Sequence, residues 1–174
     1  LIKKNPGILN ERGKILKEGT KLFDKVFTIL WLPLNLVSMA IMALDFRFSW
    51  SNLPFWTLFL GIFLTIPGFI IGIKAMLSNP YFELNIRIQE DRNQKVISTG
   101  PYKFIRHPGY VSETIMLFTA PLILGSFWGF VPNIVLIIIF IIRTAIEDRM
   151  LRKELSGYAD YAKKTKYRLI PYIW

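Results

Sequence analysis

The sequence predicts an all-α integral membrane protein of about four transmembrane helices, including a C-terminal helical hairpin, with interfacial helices beside them. Three observations carry this expectation. The chain of 174 residues is 52% hydrophobic and has a mean hydropathy of +0.37, above the usual range of soluble domains. Its apolar residues are gathered into long uncharged blocks at 26–44, 54–73 and 114–142, not into alternating or narrow helical patterns. Its charge, 22 Lys and Arg against 12 Asp and Glu, lies almost wholly between and beyond those blocks. A net charge of +10 by itself also fits nucleic acid, but beside so much apolar sequence it points to an anionic membrane surface. We therefore expect a membrane partner and no nucleic acid.

The whole chain, 1–174, reads as one domain. Segment 1–25 carries seven Lys and Arg, with Ile8, Leu9, Ile15, Leu16, Leu22 and Phe23 at roughly helical spacing, so a basic helix lying on the membrane is expected. Gly13 and Gly19 weaken that helix. The first apolar block follows this basic stretch, so no cleavable leader is expected. Segment 26–77 holds two spans, with Pro33 and Pro67 inside them; neighbouring helices resatisfy the backbone around such prolines in lipid. Segment 78–107 is too polar to cross lipid and reads as a connection on one membrane face.

Segment 108–146 contains the longest apolar block. As one helix, its 29 residues at 114–142 would reach about 43 Å, well beyond a ~30 Å hydrocarbon core. Pro121, Gly125, Gly129 and Pro132 mark a turn near 126–128, which makes the block a hairpin. The hairpin also keeps the eight Lys and Arg from Arg143 onward on the same face as the 78–107 connection, as basic residues on the cytoplasmic side would be. Both termini are then expected there too. Segment 147–174 is read as amphipathic, with Leu151, Leu155, Tyr158 and Tyr161 on one face and Gly157 as a point where the helix can break.

Folding the hairpin about Phe127 sets His107 and Glu147 equally far from the turn, with Glu113 and Arg143 nearly so. Uniform helical rise then brings these four to similar depth at one end of the bundle. Arg143 and Glu147 share a helix face by their i,i+4 spacing. A carboxylate such as Glu113 just inside an apolar span is costly unless paired, which makes it a functional candidate. Glu147 and Asp148 are adjacent and point in different directions, so only one of them is expected to face a site with Arg143. Arg149 and Arg152 read as solvated or lipid-facing charges.

The absence of cysteine excludes disulfides, thiolate metal sites and cysteine nucleophiles, and the single histidine excludes a histidine-cluster metal site. No glycine-rich dinucleotide loop, phosphate loop or serine nucleophile elbow occurs. What is left is a pocket holding both signs of charge, which suits a zwitterionic ligand.

Three linked motifs then carry a resemblance: GPYKFIRHPGYVSE at 100–113, RTAIEDRMLRKEL at 143–155 and GYADYAKKTKYRLIP at 157–171. Together they resemble the isoprenylcysteine carboxyl methyltransferase and phospholipid N-methyltransferase superfamily, and NPGILNERGK at 5–14 is similar to its bacterial branch. The resemblance implies methyl transfer from S-adenosylmethionine to a lipid or lipid-like acceptor, such as a prenylcysteine-type carboxylate, at the cytoplasmic face. By that pattern Tyr102, His107, Pro108, Tyr110, Glu113, Glu147 and Asp148 would bind the cofactor. Arg106, Arg143 and Glu147 would be catalytic, the two arginines orienting the acceptor or the methionine carboxylate. Three positions depart from the pattern. Ser112 stands where a glycine is common and is expected to crowd the cofactor, Glu147-Asp148 replaces two glutamates, and Asn93-Gln94 replaces Gly-His. The alternatives are a nicotinamide-dependent membrane reductase of the sterol-reductase type and an inactive membrane binding protein.

Overall fold

The structure, a computed structural model, describes residues 19–174. Most of the basic segment expected as an interfacial helix, together with the motif at 5–14, lies outside the described residues. Five α-helices follow: α1 (Leu22–Phe48), α2 (Trp56–Ser78), α3 (Pro108–Leu124), α4 (Phe130–Glu154) and α5 (Tyr158–Lys164). Two short 3-10 turns, Glu90–Arg92 and Gly100–Lys103, lie in the connection between α2 and α3. The all-α prediction holds.

Helices α1, α2 and α4 are long and apolar enough to cross a membrane. Helix α3, apolar but only 17 residues long, is the other arm of the hairpin; at 1.5 Å per residue it reaches about 25 Å. Pro33 and Pro67 sit inside continuous helices, as a lipid setting allows. Leu32, Met39, Phe59, Phe63, Val131 and Ile138 are among the large apolar side chains left exposed, and such outward surface fits lipid as the solvent.

Helices α2 and α3 pack antiparallel and unusually close. A Cβ added at Gly61 would lie 2.7 Å from Ile123 Cγ1 and 3.1 Å from the Ile123 backbone nitrogen, and one at Gly68 would lie 2.7 Å from Ile115 Cγ2. Small residues permit that approach, which is how helices gain dispersion contact in lipid, where no hydrophobic force drives them together. Polar side chains deep in the bundle are paired across helices: Thr65 Oγ1 donates to Thr119 Oγ1 at 2.8 Å, and Asn133 Nδ2 donates to the Leu117 carbonyl at 2.7 Å.

The turn of the hairpin falls where the proline–glycine cluster places it. Gly125 ends α3 at φ 67, a left-handed conformation that glycine adopts without strain. At this end of the bundle the buried Asp45 accepts hydrogen bonds from the Ser51 amide (2.7 Å), the Ser51 hydroxyl (2.7 Å) and the Ser126 hydroxyl (2.5 Å). One carboxylate thus ties the α1–α2 loop to the α3–α4 turn. The connection at 79–107 and the C-terminal segment lie together at the opposite end.

There, α4 runs past its apolar part to Glu154, and Gly157 at φ 80 breaks it from α5. Leu151, Leu155, Tyr158 and Tyr161 form the predicted apolar face, but it is buried against Ile86, Ile88 and Val96 of the connection. The last residues fold back on the connection as well. The amides of Arg106 and His107 donate to the carbonyls of Tyr167 (2.9 Å) and Arg168 (3.0 Å), with an isolated bridge pairing Ile105 and Tyr167.

Candidate active site

A cavity of ≈ 320 Å³ opens between the connection, the start of α3 and the polar end of α4. Most of the residues singled out from the sequence converge on it: Tyr102, Arg106, His107, Tyr110, Glu113, Arg143 and Glu147 all line its wall. The reason is the one read from the hairpin, since the two arms carry 107–113 and 143–147 to the same depth. Phe27 and Trp31 of α1 and Phe140 of α4 form its apolar side.

Pro108 and Asp148 are placed differently. Pro108 is fully buried at the first position of α3, where a missing amide hydrogen is harmless, and it does not line the cavity. Asp148 also lies off the cavity wall, wholly buried, at the centre of a cluster of cations. Its Oδ1 accepts from Arg106 Nε at 2.7 Å and from the Tyr158 hydroxyl at 3.1 Å, and lies 3.4 Å from His107 Nε2. Its Oδ2 accepts from Arg152 and Arg168, both at 3.0 Å. Arg152 is therefore not the free surface charge the sequence suggested. The adjacent acids do face apart, with Glu147 toward the cavity and Asp148 toward the C-terminal segment.

Both arginines are already engaged. The Arg106 guanidinium is 2% exposed; besides Asp148 it donates to the carbonyls of Thr165 and Lys166, each at 2.7 Å. Arg143 pairs with Asp24 rather than Glu147. Its Nε donates to Asp24 Oδ1 at 2.8 Å, a terminal nitrogen lies 2.6 Å from the same oxygen, and that nitrogen also donates to the Leu84 carbonyl. The guanidinium lies 4.2 Å from the Phe27 ring centroid and 5.4 Å from that of Tyr110. Glu147 instead accepts a short hydrogen bond from the Tyr110 hydroxyl, and the Tyr110 ring stacks on His107 with centroids 5.8 Å apart.

Asp24 is the residue that sequence reading missed. It is wholly buried in the first turn of α1 and its Oδ2 accepts the Ile86 amide at 2.6 Å, so it holds the connection as well as Arg143. An acid among the lysines of a basic segment looks like a solvated charge; a signal was its place one turn ahead of an apolar span. Ser112 is the converse. It packs against Gly72 of α2 and does not line the cavity, so the expected crowding of a cofactor does not arise. Asn93 adopts φ 48, a region that asparagine tolerates better than most residues, in keeping with its standing where a glycine is common.

Three tyrosines brace the site from outside the membrane-spanning helices. Tyr102 accepts from Asn79 Nδ2 at 3.1 Å, and Tyr161 donates to the Tyr102 carbonyl at 2.6 Å. Burial pushes the Tyr161 phenol up to about 12 and holds those of Tyr102 and Tyr158 further above their ordinary value.

A phospholipid methyltransferase family model matches residues 56–157, more than half of the 174-residue chain. The chain belongs to the phospholipid methyltransferase family. It is a membrane methyltransferase, and the cavity at the polar end of its hairpin is the candidate place for the transfer. The family match spans every candidate residue from Tyr102 to Asp148, but it excludes α1 with Asp24 and the C-terminal segment that clasps Arg106. No curated protein matches the chain in sequence.

A methyl donor of mixed charge fits the groups present. Asp24, Arg143 and Glu147 form a cluster with one more negative than positive charge, beside an aromatic wall of Tyr110, Phe27 and Phe140. A cation close to aromatic rings and carboxylates is well served by such a wall.

Proposed function

We propose that the protein transfers a methyl group from S-adenosylmethionine to the head group of a lipid or lipid-like acceptor at the cytoplasmic membrane face. The observation that carries this is the convergence of Tyr110, Glu113, Arg143 and Glu147 on one cavity in a chain of this family. When bound, S-adenosylmethionine supplies a methyl on a positively charged sulfur. Tyr102, His107, Tyr110, Glu113 and Glu147 would hold it, the carboxylates facing its positive groups and Arg143 facing its carboxylate. Arg106, Pro108 and Asp148 act as positioning residues: they set the start of α3 and the His107 ring.

The chain's own contribution to rate is alignment in a pocket with little water. Methyl transfer needs nucleophile, methyl and sulfur in line, so fixing that geometry supplies most of the acceleration. Phe27, Trp31 and Phe140 exclude water and offer the apolar side to an acyl or prenyl chain.

The acceptor head group follows from the charges. A prenylcysteine-type carboxylate needs a guanidinium to receive it; Arg143 would already face the carboxylate of the methyl donor, and Arg106 is closed on Asp148 and the carbonyls of Thr165 and Lys166. The Glu113 and Glu147 carboxylates of the wall favour an amine, with the Glu147 carboxylate taking the proton an ammonium must lose before it attacks. We therefore place an aminophospholipid first. The cytoplasmic assignment rests on the concentration of Lys and Arg at the site's end of the bundle.

Calorimetry on the purified protein in detergent tests this reading. S-adenosylhomocysteine is expected to bind, and Glu147→Gln or His107→Ala to weaken it at least tenfold. Saturable NADPH binding with no adenosylhomocysteine binding would overturn it in favour of a reductase, and binding of neither would leave an inactive scaffold.

A further inference from the structure

Outside the membrane-spanning helices, two adjoining segments keep large apolar side chains uncovered. Phe104, Ile170, Tyr172 and Ile173 each leave more than half of their surface exposed, Tyr172 as much as 89%. The segments adjoin because the C-terminal residues run beside the end of the connection. Ile105 bridges Tyr167, the Arg106 and His107 amides donate to the Tyr167 and Arg168 carbonyls, and the Tyr167 and Tyr172 rings lie 5.3 Å apart.

The backbone fixes this exposure. The Trp174 carbonyl accepts from the amides of Arg168 (2.8 Å), Leu169 (3.0 Å) and Ile170 (3.3 Å), and the Ile170 carbonyl accepts from those of Ile173 (3.2 Å) and Trp174 (3.1 Å). The Arg168 guanidinium lies 4.7 Å from the Trp174 ring centroid. Closing this turn puts Tyr172 at φ 68, a region that a bulky residue rarely adopts. The turn thus holds Tyr172 and Ile173 outward, although apolar surface left in water forgoes the gain of burial.

The charges around these side chains indicate what covers them. No Asp or Glu occurs at 93–106 or 161–174, while Lys103, Lys164 and Lys166 are exposed there. Apolar tips among cations, with no acid between them, suit an anionic headgroup layer: the tips enter the boundary and the lysines meet lipid phosphates. The surface is also continuous with the membrane-embedded part of the chain, since the apolar helix α3 begins at Pro108, directly after the residues that hold the C-terminal segment.

We propose that Phe104 and the turn at 170–173 dock into the headgroup layer of an anionic leaflet, held there by Lys103, Lys164 and Lys166. The partner is the membrane surface, and the docking does not depend on which methyl donor or acceptor the cavity takes. The carbonyls of Thr165 and Lys166 that hold Arg106 belong to the docked segment, so the leaflet also supports one wall of the cavity.

Because the chain has no cysteine, Ile173→Cys gives a single site for an environment-sensitive fluorophore on the whole protein. The labelled protein is compared in nanodiscs of phosphatidylcholine alone and with about 30 mol% phosphatidylglycerol, each with nitroxide lipids that quench at headgroup depth. In the anionic discs the emission should move to the blue and be quenched about threefold more than in neutral discs, an excess that about 1 M salt removes. Lys103→Gln with Lys166→Gln should remove most of that excess, since each lysine near an anionic surface is worth about fivefold in partitioning. If the pair does not fold, Lys166→Gln alone should remove about half of it. Equal quenching in the two compositions, no quenching in either, or an excess that survives loss of the lysines would overturn the proposal. Energy transfer between donor- and acceptor-labelled copies, without quenching by lipid, would overturn it in favour of a second copy of the chain.

Discussion

Replacing Asp24 with alanine should destabilise the protein by about 4 kcal/mol, although the change falls outside the family match. Asp24 is wholly buried; it takes two contacts from Arg143, at 2.8 and 2.6 Å, and the Ile86 amide at 2.6 Å. Alanine leaves a buried guanidinium without its counter-charge, which costs about 3–5 kcal/mol. It also orphans an amide that costs about 1–3 kcal/mol if unpaired; the two losses overlap, because the Leu84 carbonyl still holds Arg143. The Asp24→Asn variant keeps an acceptor for the Ile86 amide and should lose about half as much. Equilibrium unfolding in mixed micelles measures this, using Asp24→Ala, Arg143→Met and the double variant as a cycle. Removing both charges leaves no unpaired ion, so the double variant should be more stable than the sum of the singles by about 2 kcal/mol or more. A single-variant loss under about 0.5 kcal/mol, or strict additivity, would refute the pairing of α1 with the site.

Two further outcomes are expected. Gly61→Ala should lower the melting temperature more than Gly72→Ala, because the new methyl meets Ile123 backbone at 3.1 Å in one case and the rotatable Ser112 side chain in the other; equal melting temperatures would count against backbone contact as the limit on α2–α3 approach. At high pH, burial keeps the phenols of Tyr102, Tyr158 and Tyr161 neutral in the folded protein, while in the unfolded chain they ionise near 10. Their contribution to stability is therefore complete below pH 10 and is lost as pH rises through about 12, where Tyr161 titrates. A melting temperature that stays level from pH 9 to pH 12 would show that these phenols are not buried as described.

The apolar architecture was legible because lipid imposes a simple rule. Every backbone polar group must be satisfied within the spanning segment, so uncharged blocks at 26–44 and 54–73 have to be helices, and a 29-residue block carrying Pro121, Gly125, Gly129 and Pro132 has to turn. The convergence of 107–113 with 143–147 was legible too, since two helical arms of equal length end at equal depth. The boundaries shifted where charge continued the helix: α1 starts at Leu22 and α4 runs to Glu154.

Pairing of charges was not legible. Spacing along α4 puts Arg143 beside Glu147, yet Arg143 chooses Asp24, 119 residues away, and Glu147 takes the Tyr110 hydroxyl. Adjacent Glu147 and Asp148 look alike as letters, but one faces a cavity and the other anchors Arg106, Arg152 and Arg168. Hydrophobic length and helical rise are local and additive along the chain, so composition and order determine the helices and the depth of each residue. Which buried acid meets which cation depends on distances of a few ångströms between segments far apart in sequence, and only the packed structure decides them.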